Sequence, residues 1–418
     1  MAVGRSLAEW LQRQEAIHGL AIDLGLERVR AVAQRLGLLP PAARCLIVGG
    51  TNGKGSTVAC LAALLREHGR RVGSFTSPHL LRYNERIRID AAEAADEQLL
   101  AAFEAIDAAR GDITLTFFEY NALAALHVFR ACAVDFALLE VGLGGRLDAV
   151  NIVDAEGVVI CSIGLDHMDW LGPDIESIGR EKAGVLRAGQ QVVLSDPQMT
   201  PVVAAEAARV GAHALLAGRD YRYTAAEGSW SFSMDGLVFG SLPPPALPGA
   251  VQFANAAASI ALLQAIGLPL QEAAVARALR SLRLPGRFQV VPGPVEWILD
   301  VSHNEPAARV LAANLAARPC SGRTLVVAGI LADKDAAGIA AALAPRTDRW
   351  ILCGIAAPRG QRAAELAKRS PHWSDALLAN DVPAGMALAA QMAVPGDRIV
   401  VCGSFLTVAP ALEWLGLY

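Results

Sequence analysis

The 418-residue chain is expected to be an α/β protein built on mostly parallel sheets, and three observations predict this. Apolar runs without alternation recur along it, among them Cys45-Leu46-Ile47-Val48, Phe136 to Val141 and Gly157 to Ile163, and each empties into a glycine-rich or polar loop. Stretches of helical spacing separate these runs, which is the pattern of strands buried on both faces. The length exceeds that of one average domain, and Pro285-Gly286, which cannot continue a helix, falls just before a second series of the same kind. The expected division is therefore 1–285 and 286–418.

In chain order, Ser6 to Glu15 has helical spacing, and a second helix resumes after Gly25 and ends near Gly37. The glycine-rich stretch Val48 to Thr57 follows the first buried strand and opens a helix over Val58 to His68. A short strand empties into Ser77-Pro78, and another follows at Arg86 to Asp90. Asp96 to Arg110 and Phe117 to Phe129 read as helices, and Val192 to Leu194 closes the first series of strands. Short alternating aromatic runs from Tyr221 to Leu242 predict a small antiparallel patch, followed by an Ala-rich helical region to Arg283. Beyond the hinge, Val295 to Asp300, Arg323 to Ala328, Arg349 to Cys353 and Arg398 to Cys402 predict a second, smaller open sheet.

Composition narrows the function. The net charge is only −4 and no block of lysine or arginine marks a polyanion surface, so the expected partner is a small anionic ligand and not a nucleic acid. The seven cysteines are scattered, with no C-x-x-C pair, and read as reduced side chains in a cytoplasmic protein. No stretch supplies the roughly 18 uninterrupted apolar residues of a membrane span.

The chemistry centres on Val48 to Thr57. Glycines let several backbone N–H groups face one oxyanion, the helix start adds partial positive charge, and Lys54 adds a full one. Ser56 or Thr57 can then offer a hydroxyl to Mg2+. Glu140 ends a fully apolar strand, where a carboxylate is either a metal ligand or half of a buried ion pair. Ser77 and His167 also follow strands, at the edge where ligands collect in such sheets. Lys182, alone, reads as a solvated helix charge. In the second series Asp300 and His303 sit past a strand end, where Asp300 can accept from a ribose hydroxyl, while Asn304 or Ser302 can instead cap the next helix. Arg287 lies in the hinge. Asp333-Lys334-Asp335 reads as an ordinary polar turn.

Taken together, Gly50 to Thr57, Thr76 to Leu80, Glu140 to Asp148, Leu165 to His167, Glu181 to Gly184, Pro285 to Arg287 and Asp300 to Asn304 closely resemble the folylpolyglutamate synthase family, which is related to the muramyl-peptide ligases. The resemblance runs nearly end to end. It implies a P-loop domain followed by a smaller Rossmann-like domain, and an ATP-dependent ligase that joins L-glutamate to dihydropteroate and reduced folates through an acyl phosphate. It implies that ATP lies between the domains, with phosphates held by Asn52, Gly53, Lys54, Gly55 and Ser56 and further contacts from Asn255, Arg287 and Asp300, with His303 close by. Two magnesium ions would be bound through Ser77, Glu140 and His167. Lys182 matches a lysine that the family carries as a carbamate. The pteroate pocket would be formed by Ile22, Asp23, Leu24, Thr116, Phe117, Phe118, Glu119, Leu147, Asp148 and Ala149. Val150 and Ser302 depart from the usual residues without removing a charge. The resemblance also favours a monomer. The alternatives are a folylpolyglutamate synthase without dihydrofolate synthase activity, another Mur-type ligase, and a nucleotide-binding switch without catalysis.

Overall fold

The computed structural model describes residues 5–196 and 200–418. The chain forms two compact units, one taking in the chain up to Ala246 together with Phe253–Leu282, the other Leu247–Gln252 together with Arg283–Tyr418. The early visit of the chain to the second unit has a local cause. Gly249, at φ +110°, lies so close to Asn314 that an added Cβ would sit 2.8 Å from that side chain, a conformation and an approach open only to glycine.

The first unit holds an eight-stranded sheet. Its strands are β1 (Arg44–Gly49), β2 (Val72–Phe75), β3 (Ile87–Ile89), β4 (Ala92–Glu93), β5 (Phe136–Glu140), β6 (Gly157–Ile160), β7 (Gln191–Leu194) and β8 (His213–Leu216). They lie in the order β4-β3-β2-β5-β1-β6-β7-β8. The six strands from β2 to β8 run parallel, as the unalternating apolar runs predict, with Val48 level with Glu140 and Gly49 level with Ile160. The expected strand at Arg86 to Asp90 is real but antiparallel, since Phe75 pairs with Ile87. Its connection to β2 is too short for a parallel crossover. The aromatic region forms its own antiparallel sheet of β9 (Tyr221–Ala226), β10 (Ser229–Met234) and β11 (Leu237–Leu242).

Helix boundaries follow cap chemistry. Ser6 caps the helix Leu7–Ile17, and Thr116 caps Phe117–Ala131. In the latter the Thr116 hydroxyl accepts from Glu119 N at 3.2 Å while Glu119 Oε2 accepts from Thr116 N at 2.8 Å, a reciprocal capping box. Thr116→Ala is expected to lower unfolding free energy by about 1 kcal/mol, measured by urea denaturation.

The second unit carries six strands where four were expected. They are β12 (Gln289–Val291), β13 (Glu296–Asp300), β14 (Thr324–Ala328), β15 (Arg349–Cys353), β16 (Leu377–Ala379) and β17 (Arg398–Cys402), in the order β12-β13-β17-β14-β15-β16. The two additional strands, β12 and β16, are edge strands of three residues each. That is too short for a period-2 pattern to register. The turn at Asp333 to Asp335 is structural, with Asp335 capping the helix Ala336–Leu343 through Gly338 N at 2.9 Å.

Among the described residues no helix is long and apolar enough to cross a membrane. All seven cysteines are unpaired.

Candidate active site

The strand order brings the ends of β2, β5, β1 and β6 side by side at one edge of the first sheet. The glycine turn leaves β1 there. Gly50 has φ +142° and Gly53 φ +88°, and a Cβ on Gly53 would lie 3.0 Å from Asn255 Oδ1 and 3.3 Å from Cys161 Cβ. The turn is therefore pressed against β6 and against the helix Val251–Ala265, which brings Asn255 to the loop. Two reciprocal pairs fix it. Thr51 Oγ1 donates to Gly164 O at 3.1 Å and accepts from Gly164 N at 3.0 Å, and Ser162 Oγ donates to Asn52 O at 3.0 Å and accepts from Asn52 N at 2.9 Å. The helix Lys54–Glu67 starts directly on the turn, with no side chain capping it. Its first N–H groups are thus left for an anion.

Lys54 and Lys182 converge on this turn. Lys54 Nζ donates to Gly50 O at 3.0 Å and to Thr51 O at 3.1 Å, and Lys182 Nζ donates to the same Gly50 O at 3.0 Å. Lys182 is only 5% exposed, which corrects its reading as a solvated helix charge. Burial first, then repulsion from Lys54, pull its pKa down to about 7 against the attraction of Asp166 and Asp148. The helix Ile175–Ala183 is amphipathic and turns Lys182 inward. Its end is docked closely, because a Cβ on Gly145 would lie 2.7 Å from Lys182 O.

Of the two candidate hydroxyls, Thr57 is fully buried with its Oγ1 3.2 Å from Cys161 Sγ, which leaves Ser56 for a ligand. Glu140 is 5% exposed and accepts from Ser77 N at 3.2 Å, so two of the expected metal residues meet. His167 lies on the loop after β6 at φ +52°, its backbone N–H bonded to Asp166. Among the described residues, no three of His, Cys, Asp and Glu gather as a ready metal nest. The donors present, hydroxyl and carboxylate oxygens beside a phosphate cradle, suit Mg2+, which takes few protein ligands and fills its shell with phosphate oxygens and water.

The three segments expected to form the pteroate pocket join in one network. Asp23 pairs with Arg28 at 2.6 Å, Arg28 pairs with Glu119 at 3.2 Å, and His18 lies 3.1 Å from Asp23. The Phe118 ring stands over Gly142, where a Cβ would come within 2.6 Å of it, and lies 5.6 Å from the Phe75 ring. Gly142 N and Leu143 N both donate to Asp148 at 2.9 Å, and Val150 N donates at 3.0 Å. Asp148 thus shapes the turn beneath the ring. Burial raises its pKa to about 6, opposed by those amides and by Lys54. Ile22 is exposed, and Leu147 and Ala149 sit on the same turn as Asp148. Arg28, His18 and Phe75 escape sequence reasoning, although the charge complementarity of Arg28 with Asp23 is a usable signal.

In the second unit Asp300 accepts from Phe288 N at 2.8 Å and from Ser302 N at 2.9 Å. It holds the turn in which Phe288 adopts φ +44°, a left-handed value rare for an aromatic residue. Burial raises the Asp300 pKa while Arg287 opposes the shift. Arg287 and His303 share Phe405, which lies 5.1 Å from the Arg287 guanidinium carbon and 6.1 Å from the His303 ring. His303 Nδ1 faces Val301 O at 2.9 Å, which fixes the tautomer. The helix Glu305–Ala317 is capped by Asn304.

Residues 286–405 match the family described as Mur ligase, glutamate ligase domain. The dihydrofolate synthase/folylpolyglutamate synthase of Escherichia coli (strain K12) is 44% identical, covering 97% of this chain and 95% of the relative. An Escherichia coli structure described as FolC in complex with DHPP and ADP superposes with a TM-score of 0.95 at 43% identity, over 99% of this chain and 98% of that one. A bifunctional folylpolyglutamate synthase/dihydrofolate synthase with Mn, AMPPNP and L-glutamate bound gives 0.92 at 44% identity, over 99% and 98%. With identity this high along nearly its whole length, the chain belongs to the dihydrofolate synthase/folylpolyglutamate synthase family.

Proposed function

We propose that this chain adds L-glutamate to dihydropteroate, forming dihydrofolate, and to reduced folates, forming polyglutamates, at the expense of ATP. The observation that carries the reading is the shared edge of the first sheet, where the phosphate turn and Glu140 lie beside the network of Asp23, Arg28, Glu119, Phe118 and Asp148. Relatives solved with DHPP and ADP, and with AMPPNP and L-glutamate, support it. The first unit is assigned ATP phosphates and the pteroate ring, and the second, matching a glutamate ligase domain, the glutamate-joining role, while its Arg287 and Asp300, with His303 close by, are assigned further contacts to ATP. The unpaired cysteines support a cytoplasmic setting, and a monomer is the expected working form.

In the reaction a substrate carboxylate oxygen attacks the γ-phosphorus, the bond to ADP breaks, and an acyl phosphate results. The glutamate amine then adds to the acyl carbon and phosphate leaves, giving the amide. No enzyme nucleophile is consumed, so the chain's work is positioning and charge compensation. Backbone N–H groups of residues 53–56 and the Lys54 ammonium hold the phosphate oxygens. Mg2+, at two sites involving Ser77, Glu140 and His167, would neutralise charge on the transferring phosphoryl group. Lys182, as a carbamate, would be anionic: its neutral amine attacks CO2, a C–N bond forms and a proton is released.

ADP release is expected only when both the acid and L-glutamate are present. Glutamate-independent turnover contradicts the reading, and parallel assays with dihydropteroate and tetrahydrofolate separate a bifunctional enzyme from a folylpolyglutamate synthase alone. Gly142→Ala is expected to weaken dihydropteroate binding on the order of tenfold with ATP affinity unchanged. The added methyl displaces the Phe118 ring, and overpacking of this kind costs about 1–3 kcal/mol.

A further inference from the structure

Arg86 is a charged residue that the reaction scheme above leaves without a task, yet it is only 8% exposed. It ends the turn Tyr83–Arg86 that carries the chain from β2 back to β3. Its backbone carbonyl accepts from Thr76 N at 2.9 Å. Its Nε donates to His79 Nδ1 at 2.8 Å, and its guanidinium carbon lies 5.4 Å from the Phe117 ring and 5.9 Å from the Tyr83 ring. The side chain is thus held from three sides.

The carboxylate nearest in sequence does not explain it. Glu85 accepts from the amides of Leu80 at 2.8 Å and of Leu81 and Arg82 at 2.7 Å each, so its oxygens are committed to the turn. Glu140 contributes attraction at longer range. Among the described residues the two terminal nitrogens of Arg86 find no hydrogen-bond partner, and neither is sealed from solvent. A guanidinium taken this far out of water, with its outer fork unfilled, is prepared for an anion that it binds bidentately.

The position says which anion. Phe117 precedes Phe118, whose ring lies on Gly142, two residues beyond Glu140. Arg86 therefore lies against the aromatic wall and within electrostatic reach of the Glu140 carboxylate. An acid whose ring stands at Phe118 and whose carboxylate is phosphorylated beside Glu140 must cross the interval between the two. We propose that Arg86 receives the reacting carboxylate of the acid substrate, holding its oxygens until one attacks ATP. This assignment rests on the function proposed above.

The test is equilibrium binding, by ligand fluorescence, of pteroic acid and of its carboxamide to the full chain and to Arg86→Gln and Arg86→Lys. Arg86→Gln should weaken the acid about 10- to 100-fold, the range for a hydrogen bond to a charged group, and leave the amide unchanged. Arg86→Lys should fall between, since it keeps the charge and loses the fork. Amide binding also reports that each variant is folded. Equal weakening of acid and amide overturns the assignment, because it shows a purely structural role. So does an unchanged preference for the acid with a raised Mg2+ requirement, because Arg86 then serves Glu140. Either result leaves the proposed function standing. A parent protein that binds neither compound overturns the substrate reading and this assignment with it.

Discussion

Lys54→Met is expected to lower kcat on the order of 10^3-fold, the scale of removing a preorganised charge that stabilises a transferring phosphoryl group. The fold should survive, because Lys54 Nζ bonds only to the carbonyls of Gly50 and Thr51. The turn is fixed independently by the Thr51–Gly164 and Asn52–Ser162 pairs. Steady-state kinetics beside a thermal melt checks both halves of this expectation. A second consequence follows from geometry. Lys54 depresses the Lys182 pKa by repulsion, so its removal should raise that pKa and leave more of Lys182 as ammonium at neutral pH.

The second large effect belongs to Lys182. In the folded chain its pKa falls from 10.5 to about 7, so the ammonium form dominates below pH 7 and the amine above it. Only the amine takes up CO2. Carbamate formation, followed by the carbonyl signal of 13C-labelled bicarbonate, should therefore rise between pH 6 and pH 8 and be absent from Lys182→Ala. The depressed pKa also carries a stability term: it is fully present above the unfolded value and is lost as pH falls through 7. Lys182→Ala should lose about 10^2- to 10^3-fold in kcat, comparable to loss of one electrostatic group from such a site. Added formate should restore part of it by returning a negative charge to the cavity. A variant of undiminished activity, or one that formate does not help, contradicts the carbamate role.

The parallel core was legible in the sequence because β1, β5 and β6 are buried on both faces and therefore carry no polar alternation. The phosphate turn was legible because glycine at φ above +80°, as at Gly50 and Gly53, leaves a mark in composition. Glu140 stood out for the same kind of reason, as a carboxylate closing an apolar run. Arg86 did not. In the run Tyr83-Asn84-Glu85-Arg86 it looks like one of several surface charges, and its burial comes from the antiparallel return of β3 onto β2, which local sequence does not encode. The division of labour between Ser56 and Thr57 was equally hidden, because the Cys161 that occupies Thr57 lies 104 residues away. Glu119 and Asp148 were expected in the pteroate pocket only through the family resemblance, and their visible bonds are to backbone amides and to Arg28. Those bonds fix the capping box at Thr116 and the turn after Gly142. Phe405, between Arg287 and His303, carried no signal beyond being aromatic.

The proposed reaction transfers phosphate to the acid before the amine attacks. Dihydropteroate labelled with 18O in both carboxylate oxygens, turned over with ATP, Mg2+ and L-glutamate, tests this directly. An acyl phosphate leaves one labelled oxygen in each inorganic phosphate released and one in the amide. Phosphate free of label, with amide still formed, would contradict it.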